Sequence, residues 1–255
     1  MNTSLYPVVI IAGGLATRLR PLTETIPKSL VDINGEPFIE HQLRQLQANG
    51  IKEVVMCLGY LGEQVIDYVG DGSRYGLQVT YALDGPKLLG TAGAIKKALP
   101  HVGEHFFVLN GDSYLPCDYA AVQRTFERCQ KLGLMTVFHN QGKWDSSNVE
   151  YKNDSIVVYD KIHKTERMLH IDYGLEIFSR AAFDQVPDDE PYDLAVLFQD
   201  LLKNNQLAAH EVNERFYEVG SFAGISELGY YLSLGKDSAA QTETVPTAKN
   251  ATTEI

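Results

Sequence analysis

Residues 8–23 read VVIIAGGLATRLRPLT, with Pro27-Lys28 close behind. Five apolar residues ended by paired glycines make a short strand buried on both faces, the pattern of a parallel sheet. Gly13 and Gly14 then let the backbone come close to a ligand and turn its N–H groups toward phosphate oxygens. Arg18 adds a planar fork suited to β- and γ-phosphates. Lys28, a point charge on a flexible stem, can follow an α-phosphate as charge shifts during reaction. A glycine pair alone marks an ordinary turn with surface cations; the ordered string around it carries the functional reading.

Working outward, apolar runs at Glu53–Leu58, Gln78–Leu83, Phe106–Leu109 and Leu134–His139 read as further strands. Between them, Pro37 opens a helix with Ile39, Leu43 and Leu46 on one face and Asn49-Gly50 as its stop. Helices also follow over Leu61–Val69, from a Thr91 cap to Leu99 before Pro100, and over Tyr119–Lys131. Such alternation predicts a mainly parallel sheet with helices on both faces. Ligands then gather at the carboxyl ends of the strands, where the Gly13-Gly14 turn and Asp112 lie. Beyond about Trp144 the elements shorten: strands at Asn148–Tyr151, Ser155–Tyr159 and Tyr173–Phe178, then helices near Tyr192–Asn204 and Ile225–Leu234. The expected organisation is one domain over 1–237, with a nucleotide-binding half to about 140 and a substrate-side half from 141. Residues 238–255 are rich in Thr, Ala, Ser and Glu without apolar periodicity and read as a disordered tail.

Composition narrows the partners. With 22 Lys and Arg against 33 Asp and Glu, the net charge of −11 argues against a broad nucleic-acid footprint, because a polyanion needs a basic face. Three scattered cysteines, Cys57, Cys117 and Cys129, suit a reducing compartment. No run approaches a membrane span and no basic region precedes Val8-Val9-Ile10-Ile11, so the expectation is a cytoplasmic protein away from membranes. His101-Val102-Gly103-Glu104-His105 matches a zinc-protease string, but it follows Pro100 and contains Gly103, which suits a connecting loop better than a helix.

The opening string resembles the signature of the sugar-1-phosphate nucleotidyltransferase family: a buried strand, Gly-Gly-x-Gly-Thr-Arg-Leu-x-Pro-Leu-Thr, then Pro-Lys. The resemblance continues through Gly90-Thr91-Ala92-Gly93-Ala94, Asn110-Gly111-Asp112 and Glu218-Val219-Gly220-Ser221, covering about residues 7–234. It implies an α/β, Rossmann-like nucleotidyltransferase fold with a mixed central sheet flanked by helices. The implied reaction is attack of a substrate phosphate on the α-phosphorus of an NTP, with pyrophosphate released. The partners would be an NTP and a small phosphorylated substrate, a sugar 1-phosphate. Ala12, Gly13, Gly14, Thr17 and Arg18 would hold the triphosphate, with Lys28 near the reacting phosphate. Tyr60 and Gly90 fall in the loops that meet the base. Asp112 would be the main Mg²⁺ ligand and Glu218 the second. Asp160-Lys161 resembles the family's Glu-Lys pair, the lysine on the substrate phosphate and the acid on sugar hydroxyls, and Asn148 and Asp172 line the same pocket. Chemistry supports the ion independently, because Mg²⁺ takes hard oxygens and needs only one or two protein carboxylates.

Four departures stand out. Ala16 replaces the third glycine, which the loop accepts if its φ is negative. Glu218 stands where the family has aspartate. Asp172-Tyr173-Gly174 replaces Asn-Ala-Gly, and Asp160-Lys161-Ile162 replaces Glu-Lys-Pro. The last two keep open the same chemistry on a non-sugar phosphate, as in cytidylyltransferases acting on phosphocholine-like substrates. A glycosyltransferase with a similar fold would lack the triphosphate loop. A non-catalytic nucleotide-sugar-binding homologue would not need Arg18, Lys28 and Asp112.

Overall fold

The computed structural model of the chain describes residues 4–85 and 87–242. In chain order the elements begin β1 (Val8–Ala12), β2 (Asp32–Ile33), β3 (Glu36–Pro37), α1 (Phe38–Ala48), β4 (Glu53–Leu58), α2 (Gly62–Val69), β5 (Gln78–Leu83) and α3 (Gly90–Ala98). They continue through β6 (His105–Asn110), β7 (Ser113–Tyr114), α4 (Tyr119–Cys129), β8 (Gly133–Phe138), β9 (Val149–Lys152), β10 (Ser155–Tyr159) and β11 (Ile171–Ser179). The last are α5 (Leu194–Lys203), β12 (Leu207–Val212), β13 (Tyr217–Glu218) and α6 (Phe222–Thr242).

Seven strands form one sheet in the order β12-β8-β11-β6-β1-β4-β5. The expected parallel core is present: β1 runs parallel to both β4 and β6, and β4 to β5. β11 alone lies antiparallel, between β6 and β8, so the sheet is mainly parallel but mixed, as the resemblance implies. The reason is the connection. Only the β9–β10 hairpin separates β8 from β11, and without a helical crossover the chain returns in the opposite direction. β12, which has no counterpart among the expected strands, closes the far edge parallel to β8.

Alternation along β1 serves two cores. Val8 and Ile10 pack with Leu43 and Leu46 of α1 and Val122 and Phe126 of α4, while Val9 joins Ile95 of α3 and Leu197 and Phe198 of α5. α1 ends as its sequence requires, with Asn49 as C-cap and Gly50 at φ +91°. α3 does not start as expected. Thr91 lies inside its first turn, and its Oγ1 accepts the Leu194 N–H at 2.7 Å, satisfying an orphan donor at the start of α5. The Ala92 and Gly93 amides of α3 donate to the Tyr192 carbonyl in return, at 2.9 and 3.3 Å. His101 ends a short 3₁₀ turn and His105 opens β6, so the two histidines share no helical face. α6 continues to Thr242, taking in the first residues of the expected tail, and the remainder, 243–255, lies outside the described residues.

Candidate active site

β1 and β6 end side by side, and Gly111 makes that possible. Its amide donates to the Ile11 carbonyl at 2.8 Å, and a Cβ there would fall 2.6 Å from the Ala12 Cβ. A cleft of about 190 Å³ opens above these ends, lined among others by Ala12, Gly14, Lys28, Thr91 and Asp112. The glycine loop then turns through Ala16 at φ +47°, so the condition of a negative φ is not met. The alanine holds a left-handed conformation that costs about 1–2 kcal/mol. It is pinned there because its carbonyl accepts both the Thr23 hydroxyl at 2.7 Å and the Leu19 amide at 3.1 Å. Thr17 and Arg18 follow, both exposed.

Asp112 is the centre of the charged part of the site. The Lys28 ammonium lies 2.7 Å from its Oδ2, with both side chains about four-fifths buried (20% and 23% exposed). The two-residue ribbon of β7 and β13 sets Glu218 opposite Ser113, the residue after Asp112. Burial first, and the charge of Asp112 second, push the Glu218 carboxyl above its usual range, while Arg18 and Lys28 act against that rise. Arg18 acts on this carboxylate by its charge, from the glycine loop: its guanidinium packs on Gly220, where a Cβ would meet Nη2 at 2.9 Å. Asp145, on the loop after β8, adds a further negative charge toward Glu218. Gln42 of α1 steadies the whole turn, donating to the carbonyls of Asn110 at 3.0 Å and Ser113 at 2.8 Å.

A second, mostly apolar pocket of about 120 Å³ adjoins this cleft, lined by Ile11, Gly13, Gly14, Asp84, Leu88, Gly90, Thr91 and Ala94. Gly90 sits there at φ +69°, and a Cβ would lie 2.7 Å from the Tyr192 carbonyl, so the position admits only glycine. Tyr60 lines neither space. Its hydroxyl donates to the Glu24 carbonyl at 2.8 Å, tying the loop after β4 to the one after Arg18.

The four residues expected on the substrate side converge. Asn148 Oδ1 accepts the Asp172 amide at 2.9 Å, and the Asn148 carbonyl accepts the Asp160 amide at 3.1 Å. Lys161 is close enough to Asp172 to oppose the rise that burial imposes on that carboxyl. The Asp160 carboxylate turns into its own loop, accepting the Ile162 and His163 amides at 2.7 and 2.8 Å, and those bonds hold its pKa down. Asp160 thus shapes the loop that carries Lys161. Gly174 joins this cluster to the charged centre, since a Cβ on it would stand 3.5 Å from Asn110 Nδ2 and 3.9 Å from Ser113 Oγ.

Residues 7–147, more than half of the chain, match the family model described as nucleotidyl transferase. The chain belongs to that family. Among curated nucleotidyltransferases, it is 29% identical over 213 residues to the D-glycero-alpha-D-manno-heptose 1-phosphate guanylyltransferase of Campylobacter jejuni, covering 83% of this chain and 93% of that one. It is 42% identical over 118 residues to the N-acetylmuramate alpha-1-phosphate uridylyltransferase of Neisseria meningitidis serogroup B, covering 46% of this chain and 51% of that protein, about half its length. The crystal structure of HddC from Yersinia pseudotuberculosis shares the fold at a TM-score of 0.74, with 24% identity, 89% of this chain covered and 100% of that one. The chain is thus a nucleotidyl transferase, similar to enzymes named for sugar 1-phosphates, and it shares the fold of HddC.

In a nucleotidyl transferase, two adjoining carboxylates beside a phosphate loop bear on metal binding. Asp112 and Glu218 are hard oxygen donors held near one another at a cost, since the charge of one resists ionisation of the other. A divalent cation relieves that repulsion, so the donor set fits Mg²⁺. Among the described residues no group of three or more His, Cys, Asp or Glu is placed to hold a metal, so Asp112 and Glu218 would hold the ion together with substrate phosphate and water. Gln42, Asp84, Asp145 and Glu176 are the site neighbours that sequence reasoning missed. Glu176 did carry a signal, a charge inside the apolar run Leu175–Phe178.

Proposed function

We propose that the chain transfers a nucleoside monophosphate from an NTP to a sugar 1-phosphate, forming a nucleotide sugar and pyrophosphate. The observation that carries this reading is the meeting of Lys28, Asp112 and Glu218 beside the Gly13-Gly14 loop. An oxygen of the acceptor phosphate attacks the α-phosphorus, and the bond from that phosphorus to the bridging oxygen of pyrophosphate breaks. The acceptor phosphate is already ionised, so no general base is needed. The loop amides and Thr17 receive the triphosphate, Arg18 faces the leaving pyrophosphate, and Lys28 moves from Asp112 to the α-phosphate. Mg²⁺ held by Asp112 and Glu218 would supply neutralisation of phosphate charge. Gly90 and its apolar pocket receive the base, with Tyr60 bracing the loop beside it.

On the acceptor side, Lys161 takes the sugar phosphate, Asn148 and Asp172 form the wall that reads hydroxyls, and Asp160 holds the loop that carries Lys161. Relatives named for transfer of guanylyl and uridylyl groups to 1-phosphates support this class of acceptor. We place the enzyme in the cytoplasm. Its three free cysteines suit reducing conditions, and no helix among the described residues is long and apolar enough to cross a membrane. The test is product identification by mass spectrometry, after incubation with each NTP and a panel of sugar and non-sugar phosphates. A nucleotide sugar is expected. A nucleotide-linked alcohol from a non-sugar phosphate, with no nucleotide sugar, would overturn the sugar assignment.

A further inference from the structure

β11 carries an irregularity with a chemical consequence. Asp172 pairs with Val137 and Glu176 with Met135, so four residues of β11 span two residues of β8. The bulge is Tyr173-Gly174-Leu175, with Gly174 at φ +94° and the Leu175 carbonyl taken by the Thr136 hydroxyl at 2.6 Å. Without it, side chains four residues apart would stand about 13 Å apart along a strand; the register here brings them to about 7 Å. Val137 and Met135 both face the core beneath α3 and α5, so the two carboxyls beside them share that face.

The two acids are not equivalent. Asp172 is half-buried and receives the Gly174 amide at 3.2 Å and the Tyr159 hydroxyl at 3.4 Å, with Lys161 facing it. Glu176 is 3% exposed and lies against Asp172. A leucine would serve packing there better, because an acid this deep is costly unless it is hydrogen-bonded.

We propose that Glu176 is a positioning residue, a buried hydrogen-bond donor beneath Asp172 that fixes this carboxylate as an oriented acceptor for a hydroxyl of the sugar phosphate. The proposal rests on the sugar 1-phosphate reading above. Burial, and next the neighbouring Asp172 charge, push the Glu176 carboxyl well above its ordinary range, with Lys161 opposing the rise. Of the two acids Glu176 is the more deeply buried, while Lys161 and the Gly174 amide face Asp172, so Glu176 is the partner that carries the shared proton and donates it to Asp172. A carboxylate so held offers only acceptor sites. It presents a fixed acceptor to an O–H group at that edge.

The experiment compares the full-length wild type with Glu176→Gln, which keeps a donor of the same shape, and Glu176→Leu, which does not. Infrared spectra at neutral pH should contain a protonated-carboxyl C=O band in the wild type that Glu176→Gln removes. The acceptor KM should stay within about threefold of wild type in Glu176→Gln and rise about tenfold or more in Glu176→Leu, with the NTP KM unchanged in both. Absence of the band, equal damage from Gln and Leu, or a wild-type acceptor KM in Glu176→Leu would each overturn the positioning role while leaving the reading of function intact. A wild-type enzyme that turned over no sugar 1-phosphate would overturn that reading instead, and the proposal with it.

Discussion

The amide of Val219 donates to the carbonyl of Asp112 at 2.8 Å. With Glu218 paired to Ser113, this bond locks two segments more than a hundred residues apart into one turn, and it fixes where their carboxylates stand. The backbone of a two-residue ribbon, not side-chain contact, therefore defines the distance between the candidate metal ligands. Shape-preserving substitutions should leave that frame intact and remove only charge.

On that basis Asp112→Asn and Glu218→Gln should each lower kcat by about a hundredfold or more while unfolding at nearly the wild-type temperature. Steady-state kinetics and thermal denaturation check the pair. Near-complete activity in Glu218→Gln would leave Asp112 as the sole protein ligand. Glu218→Asp should retain substantial activity only if the ribbon carries the shorter carboxylate far enough to reach the ion.

Arg18 is exposed and lies over Gly220, so the fold does not depend on it. Arg18→Ala should keep the wild-type melting temperature and lower kcat/KM by roughly 10²–10³-fold, through loss of a charge aimed at the leaving pyrophosphate. An unchanged kcat/KM would remove Arg18 from the mechanism.

Gly111→Ala tests the close approach of β1 and β6. The added Cβ would meet the Ala12 Cβ at 2.6 Å and the Ile11 carbonyl oxygen at 2.9 Å, and backbone cannot step aside as a side chain tip can. A loss of about 1–3 kcal/mol in denaturant-derived stability is expected, together with reduced activity, since Asp112 is the next residue.

Glu176 also predicts a pH dependence of stability. Its folded-state pKa lies above the ordinary value of 4.5, so its contribution is fully present below that value and is lost as pH rises toward the folded pKa. The loss approaches about 1.4 kcal/mol per pH unit within that window. Glu176→Gln has no such proton to lose. The difference in melting temperature, variant minus wild type, should therefore grow more positive from pH 4.5 upward. A difference that is flat with pH would mean that Glu176 ionises freely in the folded protein.

Much of this site is visible in local sequence because its parts sit at strand ends. Val8–Ala12, Gly13-Gly14 and Asn110-Gly111-Asp112 announce themselves through apolar runs cut off by turn residues. Direction and register are a different matter. Nothing in Ile171–Ser179 states that it runs antiparallel or that it bulges at Gly174, because both depend on which strands flank it. β7 and β13, at two residues each, have no periodicity to detect, yet they bring Glu218 to Asp112. Thr91 reads as a cap, but tertiary contact gives its hydroxyl to the neighbouring helix. Ala16 reads as a tolerant substitution, but three-dimensional hydrogen bonds hold it at φ +47°.

The central claim is nucleotidyl transfer to a phosphate. The most direct measurement is the stoichiometry of pyrophosphate release, with every NTP tried against every phosphorylated acceptor. One pyrophosphate per acceptor consumed is predicted, only when both substrates are present and not in Asp112→Asn. Release of orthophosphate, or pyrophosphate formed without consumption of an acceptor, would contradict the account.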